Sequence, residues 1–213
     1  MPVELGIFGN QSNYGDRLVE DYGKLARIIA SLRELHPQVV VVATSGTYDL
    51  LGIGHARYLE KAKQLGDILV VGVDSDAKTK RRKGNHRPIV DESERMEMLT
   101  HLRSVDIVTL KTDDHKHLEF LSVINPDILV ISSTNEPSAD YIAEVKKFCK
   151  DVVLLEPQAK TSTTTRIRNM QAGLLDFLKG TLIEEIEHTI QSAAEKFAGK
   201  PKDDSFAPVV SDE

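Results

Sequence analysis

Apolar residues follow two alternating rhythms along this chain. Leu18, Tyr22, Leu25, Ile29 and Leu32 recur at spacings of three and four, which predicts an amphipathic helix. After Pro37, the run Val39-Val40-Val41-Val42 is continuous and β-branched, as in a strand covered on both faces. Gly46 to Gly54 is rich in turn formers, and His55 to Leu65 returns to the helical period. Ile68 to Val73 predicts the next buried strand. Asp91, with Glu94 three residues on, has the pattern of a capping box for a helix running through Leu102. Strands are then predicted at Ile107–Leu110, Ile128–Ile131 and Val152–Leu155, separated by helices at His117–Ile124 and Ala139–Phe148. Two further helices are predicted at Arg166–Leu178 and Leu182–Phe197.

Short buried strands alternating with helices imply an α/β fold: a five-stranded parallel, doubly wound (Rossmann-like) sheet with additional helices at both ends. Ligands of such sheets bind beyond the carboxyl ends of the strands. That places the segments 44–55, 74–90, 131–137 and 156–166 on the functional edge. Residues 1–15 read as a flexible leader, 16–198 as a single domain with its C-terminal helices, and 199–213 as a disordered tail. Leu182, Ile183, Ile186 and Ile190 add apolar surface beyond what a minimal five-stranded core requires. A homodimer is one expectation from this, and packing within the chain is the other.

Composition narrows the partners. A net charge of -6 gives no footprint for nonspecific binding to nucleic acid or acidic lipid. Lys78 to Lys83 is nonetheless a basic run; Lys78, Lys80, Arg81 and Arg82 read as a solvated face, and Lys83, ahead of Gly84 and Arg87-Pro88, as functional. The single cysteine, Cys149, lies in an amphipathic segment and reads as a buried spacer. It allows no internal disulfide, which suits a reducing cytoplasm. No run reaches the ~18 apolar residues of a membrane span, and no secretory signal pattern opens the chain. The expectation is a soluble cytoplasmic protein.

The candidate chemistry centres on Gly46-Thr47-Tyr48-Asp49-Leu50-Leu51-Gly52-Ile53-Gly54-His55, between the first strand and a helix. Glycines admit a ligand close to the backbone. A helix start offers N–H groups and roughly half a positive charge to a phosphate. His55 stands where an imidazole can donate to a phosphoryl oxygen as charge develops on it. On spacing alone, a phosphate loop and an ordinary Gly-rich connection stand level. Ser162-Thr163-Thr164-Thr165-Arg166 reads either as a helix cap or as a second phosphate grip, and Asp74 either as a loop cap or as a ligand neighbour.

The chain resembles the cytidylyltransferase-like nucleotidyltransferases over about residues 24–170. The likeness rests on Gly46 to Leu51 with Gly54-His55, on Arg57 to Lys63 through Gly66-Asp67, and on Val71-Gly72-Val73-Asp74-Ser75-Asp76. It continues through Lys83-Gly84, Arg87-Pro88-Ile89-Val90, Glu94-Arg95, Val105-Asp106, Pro126-Asp127-Ile128-Leu129-Val130 and the Ser/Thr-Arg run. In detail it is most similar to the adenylyltransferase half of bacterial heptose-phosphate enzymes. The resemblance implies that a phosphate of a small acceptor, such as a sugar or polyol phosphate, attacks the α-phosphorus of a nucleoside triphosphate and releases pyrophosphate.

It implies catalytic roles for His55, Lys83 and Arg166. Nucleotide binding falls to Gly46, Thr47, Tyr48, Gly52, Gly54, His55, Asp74, Thr163, Thr164, Thr165 and Arg166, and acceptor binding to Asp49, Lys83 and Arg87. Mg²⁺ would accompany the triphosphate. AMP is the favoured group. The alternatives are a cytidylyltransferase acting on a polyol or amino-alcohol phosphate, and a nucleotide-binding form with little catalysis. The last follows from Gly52: the family pattern His-x-Gly-His reads Gly52-Ile53-Gly54-His55 here. A second departure is Ile131-Ser132-Ser133-Thr134-Asn135, where heptose-type enzymes carry a Lys-Gly-Gly-Asp-like loop.

Overall fold

A computed structural model describes residues 14–112, 118–160 and 163–198. The leader up to residue 13, the 199–213 tail, His117 and Ser162 lie outside the described residues. Two compact units divide between Thr163 and Thr164.

The first unit is built on five strands: β1 (Val41–Gly46), β2 (Ile68–Asp74), β3 (Ile107–Lys111), β4 (Ile128–Ser132) and β5 (Asp151–Leu155). All neighbours pair in parallel, in the order β3-β2-β1-β4-β5. The expected sheet is present. Its direction of growth reverses between β1 and β4, so the ligand crevice of this topology lies at their carboxyl ends. The helices are α1 (Tyr22–Leu35), α2 (Ile53–Lys63), α3 (Asp76–Lys83), α4 (Glu92–Thr100), α5 (Glu119–Ile124) and α6 (Ala139–Val145).

The period of two along each strand divides the core. Val41, Ala43, Val70 and Ile107 face α1, α5 and α6 through Leu25, Ile29, Phe120 and Ile124. Val42, Leu69, Val71 and Val108 face α2 and α4 through Leu59, Ala62, Met96 and Leu99. Cys149 is buried in the first of these layers and donates to the Val145 carbonyl at 3.3 Å; burial pushes its thiol above the ordinary value. The spacer reading agrees with this.

An aspartate stands immediately ahead of β2, β3 and β4, and each accepts from the amino end of a neighbouring strand. Asp67 takes the Val40 amide at 2.8 Å, Asp106 the Leu69 amide at 2.7 Å and Asp127 the Val41 amide at 2.8 Å. Gly66 makes the turn into β2 possible, since a Cβ there would lie 2.7 Å from the Val40 carbonyl oxygen.

Three elements differ from expectation. Leu18 does not open the first helix; it bridges to Val108 alongside β3, and α1 starts later because Asp21 caps it by accepting from the Lys24 amide at 2.5 Å. The basic run is helical rather than a loop. Ser75 caps α3 through the Lys78 amide at 3.2 Å, Asp76 sits in its first turn, and the cations of its last turn complement the helix dipole. Among the described residues, one continuous helix, α7 (Thr163–Ala198), stands where two were expected. Gly173 and Gly180 each cost a helix only about 1 kcal/mol, too little to interrupt 36 residues.

One side chain joins the layers at the carboxyl edge. Arg95 on α4 is 2% exposed. Its Nε donates to the Val90 carbonyl at 2.9 Å, and Nη1 donates to the Thr47 carbonyl. Nη2 donates to the Asp74 carbonyl at 3.0 Å and pairs with Asp76 at 2.7 Å. Removing one partner from such a buried charged network costs about 3–5 kcal/mol. Arg95→Leu is therefore expected to lower unfolding free energy by roughly that amount. Arg95→Lys should recover less than half, because a single ammonium cannot reproduce the planar fork. Denaturant titration measures both; a loss below 1 kcal/mol for Arg95→Leu would show that the network is dispensable.

Candidate active site

The turn after β1 is held in an uncommon backbone shape. Tyr48 and Leu50 have φ of 54° and 45°, left-handed values that cost a non-glycine residue energy and so need support from outside the loop. That support is visible. Thr47, Tyr48 and Asp49 are all buried. Asp49 accepts from the Ile89 amide at 3.0 and 3.1 Å, from the Val90 amide at 3.1 Å, and pairs with Arg87 at 2.7 Å. Both oxygens are thus committed to the segment ahead of α4. Gly46 keeps space for the Tyr48 ring, which a Cβ would meet at 3.3 Å.

α2 begins with Gly52 as its N-cap and His55 in its first turn. The Gly52 amide donates to His55 Nδ1 at 3.2 Å, and the His55 amide donates to the Gly52 carbonyl at 2.9 Å. A ring whose Nδ1 accepts carries its proton on Nε2 in the neutral form. The Tyr48 ring packs against it at 5.8 Å with an interplanar angle of 67°. Gly54 sits one residue before His55, and a Cβ there would lie 3.0 Å from the Ala159 Cβ, so the glycine brings the helix start against the segment after β5.

Cations converge from α3. Asp74, at the end of β2, is 3% exposed. It pairs with Arg82 at 2.9 Å, and Lys111 and Lys78 stand 3.8 and 3.9 Å away. Arg82 Nη2 also donates to Thr47 Oγ1 at 2.8 Å. Arg82 stays exposed, as the solvated-face expectation has it, but its head group pairs with a buried carboxylate, and Lys78 is half-buried beside it. Lys83 has its ammonium held below the ordinary lysine value, first by loss of water and then by the charges of Arg82 and Arg87, against the opposing pull of Asp74 and Asp49. Arg87 Nε is buried with no partner among the described residues.

The first unit thus brings together Thr47, Asp74 and Arg82; Asp49, Arg87 and Lys83; and Gly52, His55 and Tyr48. Thr163, Thr164, Thr165 and Arg166 form the first turn of α7, with Thr164 to Arg166 exposed and in the second unit. Sequence reasoning missed Arg82, Lys111 and the structural role of Arg95. Arg95 shares a helical face with Leu99 at a spacing of four, an available sign that it points inward.

Among known proteins, residues 43–185 match the family model described as cytidylyltransferase-like. The bifunctional protein HldE of Helicobacter pylori is 37% identical over 172 residues, covering 70% of this chain and 36% of its own. HldE of Nitratiruptor is 32% identical over 154 residues, covering 72% and 33%. The chain spans about a third of the length of these curated relatives. Among solved structures, the lipopolysaccharide core biosynthesis protein of Thermoplasma volcanium superposes with a TM-score of 0.52 at 27% identity, over 57% of this chain and 99% of its own. A pantoate-beta-alanine ligase from Francisella tularensis reaches 0.53 at 14% identity over 67% of each chain, a likeness of fold alone. A match across this span, on a sheet of this topology, places the chain in the cytidylyltransferase-like family.

Proposed function

We propose that this chain is a nucleotidyltransferase that transfers a nucleoside monophosphate, AMP in preference to CMP, to the phosphate of a small acceptor such as a sugar or polyol phosphate. An acceptor phosphate oxygen forms the new bond to the α-phosphorus, the α–β bridging bond breaks, and pyrophosphate leaves with the electron pair. Such a displacement asks the protein for position and charge neutralisation. The observation that carries the reading is His55. Its ring is oriented by the Gly52 amide at a helix start, with the proton on Nε2, the arrangement needed to donate to a phosphoryl oxygen in the transition state.

Lys83 and Arg87 would hold the acceptor phosphate. The lowered Lys83 and the partnerless Arg87 Nε both gain from an incoming oxyanion. Asp49 then positions Arg87, and Gly46, Thr47, Tyr48 and Gly54 shape the nucleotide's approach. Thr163 to Thr165 and Arg166 would grip the β- and γ-phosphates at the start of α7. Mg²⁺ would arrive on the triphosphate as part of the substrate, since Asp49 and Asp74 are already engaged by cations. AMP is favoured through the similarity to heptose-phosphate adenylyltransferases. Pyrophosphate release across a panel of triphosphates tests that choice, and a CTP optimum would overturn it.

His55→Ala is expected to lower turnover by on the order of 10² or more, the usual cost of losing one preorganised donor. Triphosphate affinity should change only a few-fold. Equal losses in rate and affinity would assign His55 to ground-state binding instead.

Arg166→Ala should weaken triphosphate binding by about 10- to 150-fold, the equivalent of roughly 1.5–3 kcal/mol for hydrogen bonds to a charged group. Monophosphate binding should stay nearly constant. Calorimetry with both ligands separates a phosphate grip from a helix cap, which would give no loss or the same loss for both.

The exposed row Leu174, Leu178, Leu182, Ile186 and Ile190 follows one face of α7 at steps of four. It gives the homodimer its proposed surface. Light scattering at micromolar concentration should report a dimer that Leu182→Glu with Ile186→Glu converts to monomer. A monomeric starting protein would remove the proposal.

A further inference from the structure

A cavity of about 730 Å³ lies at the carboxyl ends of β1 to β4, on the face covered by α1, α5 and α6. Asp74 and Lys111, the last residues of β2 and β3, and Ser45, next to last in β1, all line it. Parallel register sets this: Ser45 is opposite Gly72, and Asp74 is opposite Lys111. Gly72 makes room for the lysine stem, because a Cβ there would lie 2.6 Å from Lys111 Cδ and 2.9 Å from the Phe120 ring. Lys111 Nζ donates to Ser45 Oγ at 2.9 Å, stands 3.8 Å from Asp74 and sits 5.3 Å from the Phe120 ring centre.

The charges do not balance. Among the described residues, one buried carboxylate, Asp74, faces three cations, Arg82, Lys78 and Lys111, a local excess of two positive charges within that group. Among the described lining residues, four cations (these three and Arg81) stand with three carboxylates, Asp74, Glu119 and Glu136. Burial first, and then the like charges of Lys78 and Arg82 against the pull of Asp74, bring Lys111 down to about 8. An oxyanion entering the cavity would relieve that repulsion.

We propose that this cavity seats the body of the acceptor, and that Lys111 reads a second oxyanion on it, a carboxylate set apart from the reacting phosphate. Within the sugar and polyol phosphates proposed above, this selects acceptors that also carry a carboxylate, the phosphorylated hydroxy acids. A single ammonium shared with Asp74 suits a monoanion, whereas the dianionic phosphate belongs with the arginines. The proposal rests on the transferase reading of the same site.

The probes are 3-phosphoglycerate and glycerol 3-phosphate, which differ by a carboxylate in place of a hydroxymethyl group. Calorimetric titration of the intact chain, without nucleotide, is expected to show at least tenfold tighter binding of 3-phosphoglycerate at pH 7. Lys111→Met should abolish that preference and leave glycerol 3-phosphate affinity within a few-fold. Lys111 is protonated below about 8, so 3-phosphoglycerate affinity should be full there and fall as pH rises through that value. Lys111→Arg should keep the affinity and remove that fall. Asp74, Lys78 and Arg82 face the ammonium unchanged in this variant. Tyr22 and Tyr141, also in the lining, are pushed above their ordinary values by burial, and Lys83 keeps its own titration. Equal affinities for the two probes, a preference for glycerol 3-phosphate, or binding of neither at millimolar concentration would overturn the proposal. A parallel loss of both probes in Lys111→Met would do the same. The preference without pyrophosphate release from any triphosphate would sink the transfer reading alone; turnover without the preference would sink this one alone.

Discussion

The carboxyl edge of this sheet depends on one buried guanidinium. Arg95 reaches the Thr47 carbonyl in the turn after β1, the Asp74 carbonyl at the end of β2, Asp76 at the start of α3 and the Val90 carbonyl before α4. Residues 47, 74–76 and 90 are separate stretches of the chain, and each carries a candidate site residue or a neighbour of one. A planar cation with donors in fixed directions can set three backbone carbonyls and one carboxylate at once. The strained values at Tyr48 and Leu50 persist because Arg95 on one side and Asp49 on the other determine where that turn must run.

Aspartates do different work at the two ends of the sheet. At the amino end, Asp67, Asp106 and Asp127 accept from backbone amides that begin the strands, and so fix register. At the carboxyl end, Asp49 and Asp74 hold cations, Arg87 in one case and Arg82, Lys78 and Lys111 in the other. Parallel strands present unpaired N–H groups at their starts and carbonyls at their ends, so a carboxylate is welcome at the first edge and needs a cation at the second. The cations brought in this way outnumber the carboxylates around Asp74. Among the described residues that surplus follows from the fold's own geometry, and it is what the proposed anionic acceptor would meet.

The strands were legible because each is a β-branched run bounded by turn formers, and β2, buried along its whole length, shows the plainest signal. β5 was legible as a strand but not as an edge: Leu154 is 51% exposed, a consequence of strand order that no local pattern encodes. α3 escaped because Lys-Thr-Lys-Arg-Arg-Lys has no apolar face; only Thr79 is buried, and the helix owes its existence to its cap and charges. In the site, the glycine turn and His55 stood out by spacing. The tie from Asp49 to Ile89, Val90 and Arg87 spans about forty residues and required the fold. Lys111 left one trace, continuing the alternation of Ile107 and Thr109 onto the same face of β3.

Gly52 separates two things that a histidine motif normally merges. The group that orients His55 is the main-chain amide of residue 52, which any residue but proline supplies, so the ring's tautomer does not depend on the side chain there. With φ of -129° and ψ of 174°, residue 52 is in extended backbone open to every L residue, and glycine is not required by its conformation. What glycine withholds is therefore confined to a side-chain donor, which in the proposed reaction would face the nucleotide. The crowd of cations from α3, led by Arg82 on Thr47 in the adjoining turn, stands at the same edge of the sheet. In the proposed transfer, charge neutralisation would come from the α3 side, while the helix start would continue to aim the imidazole.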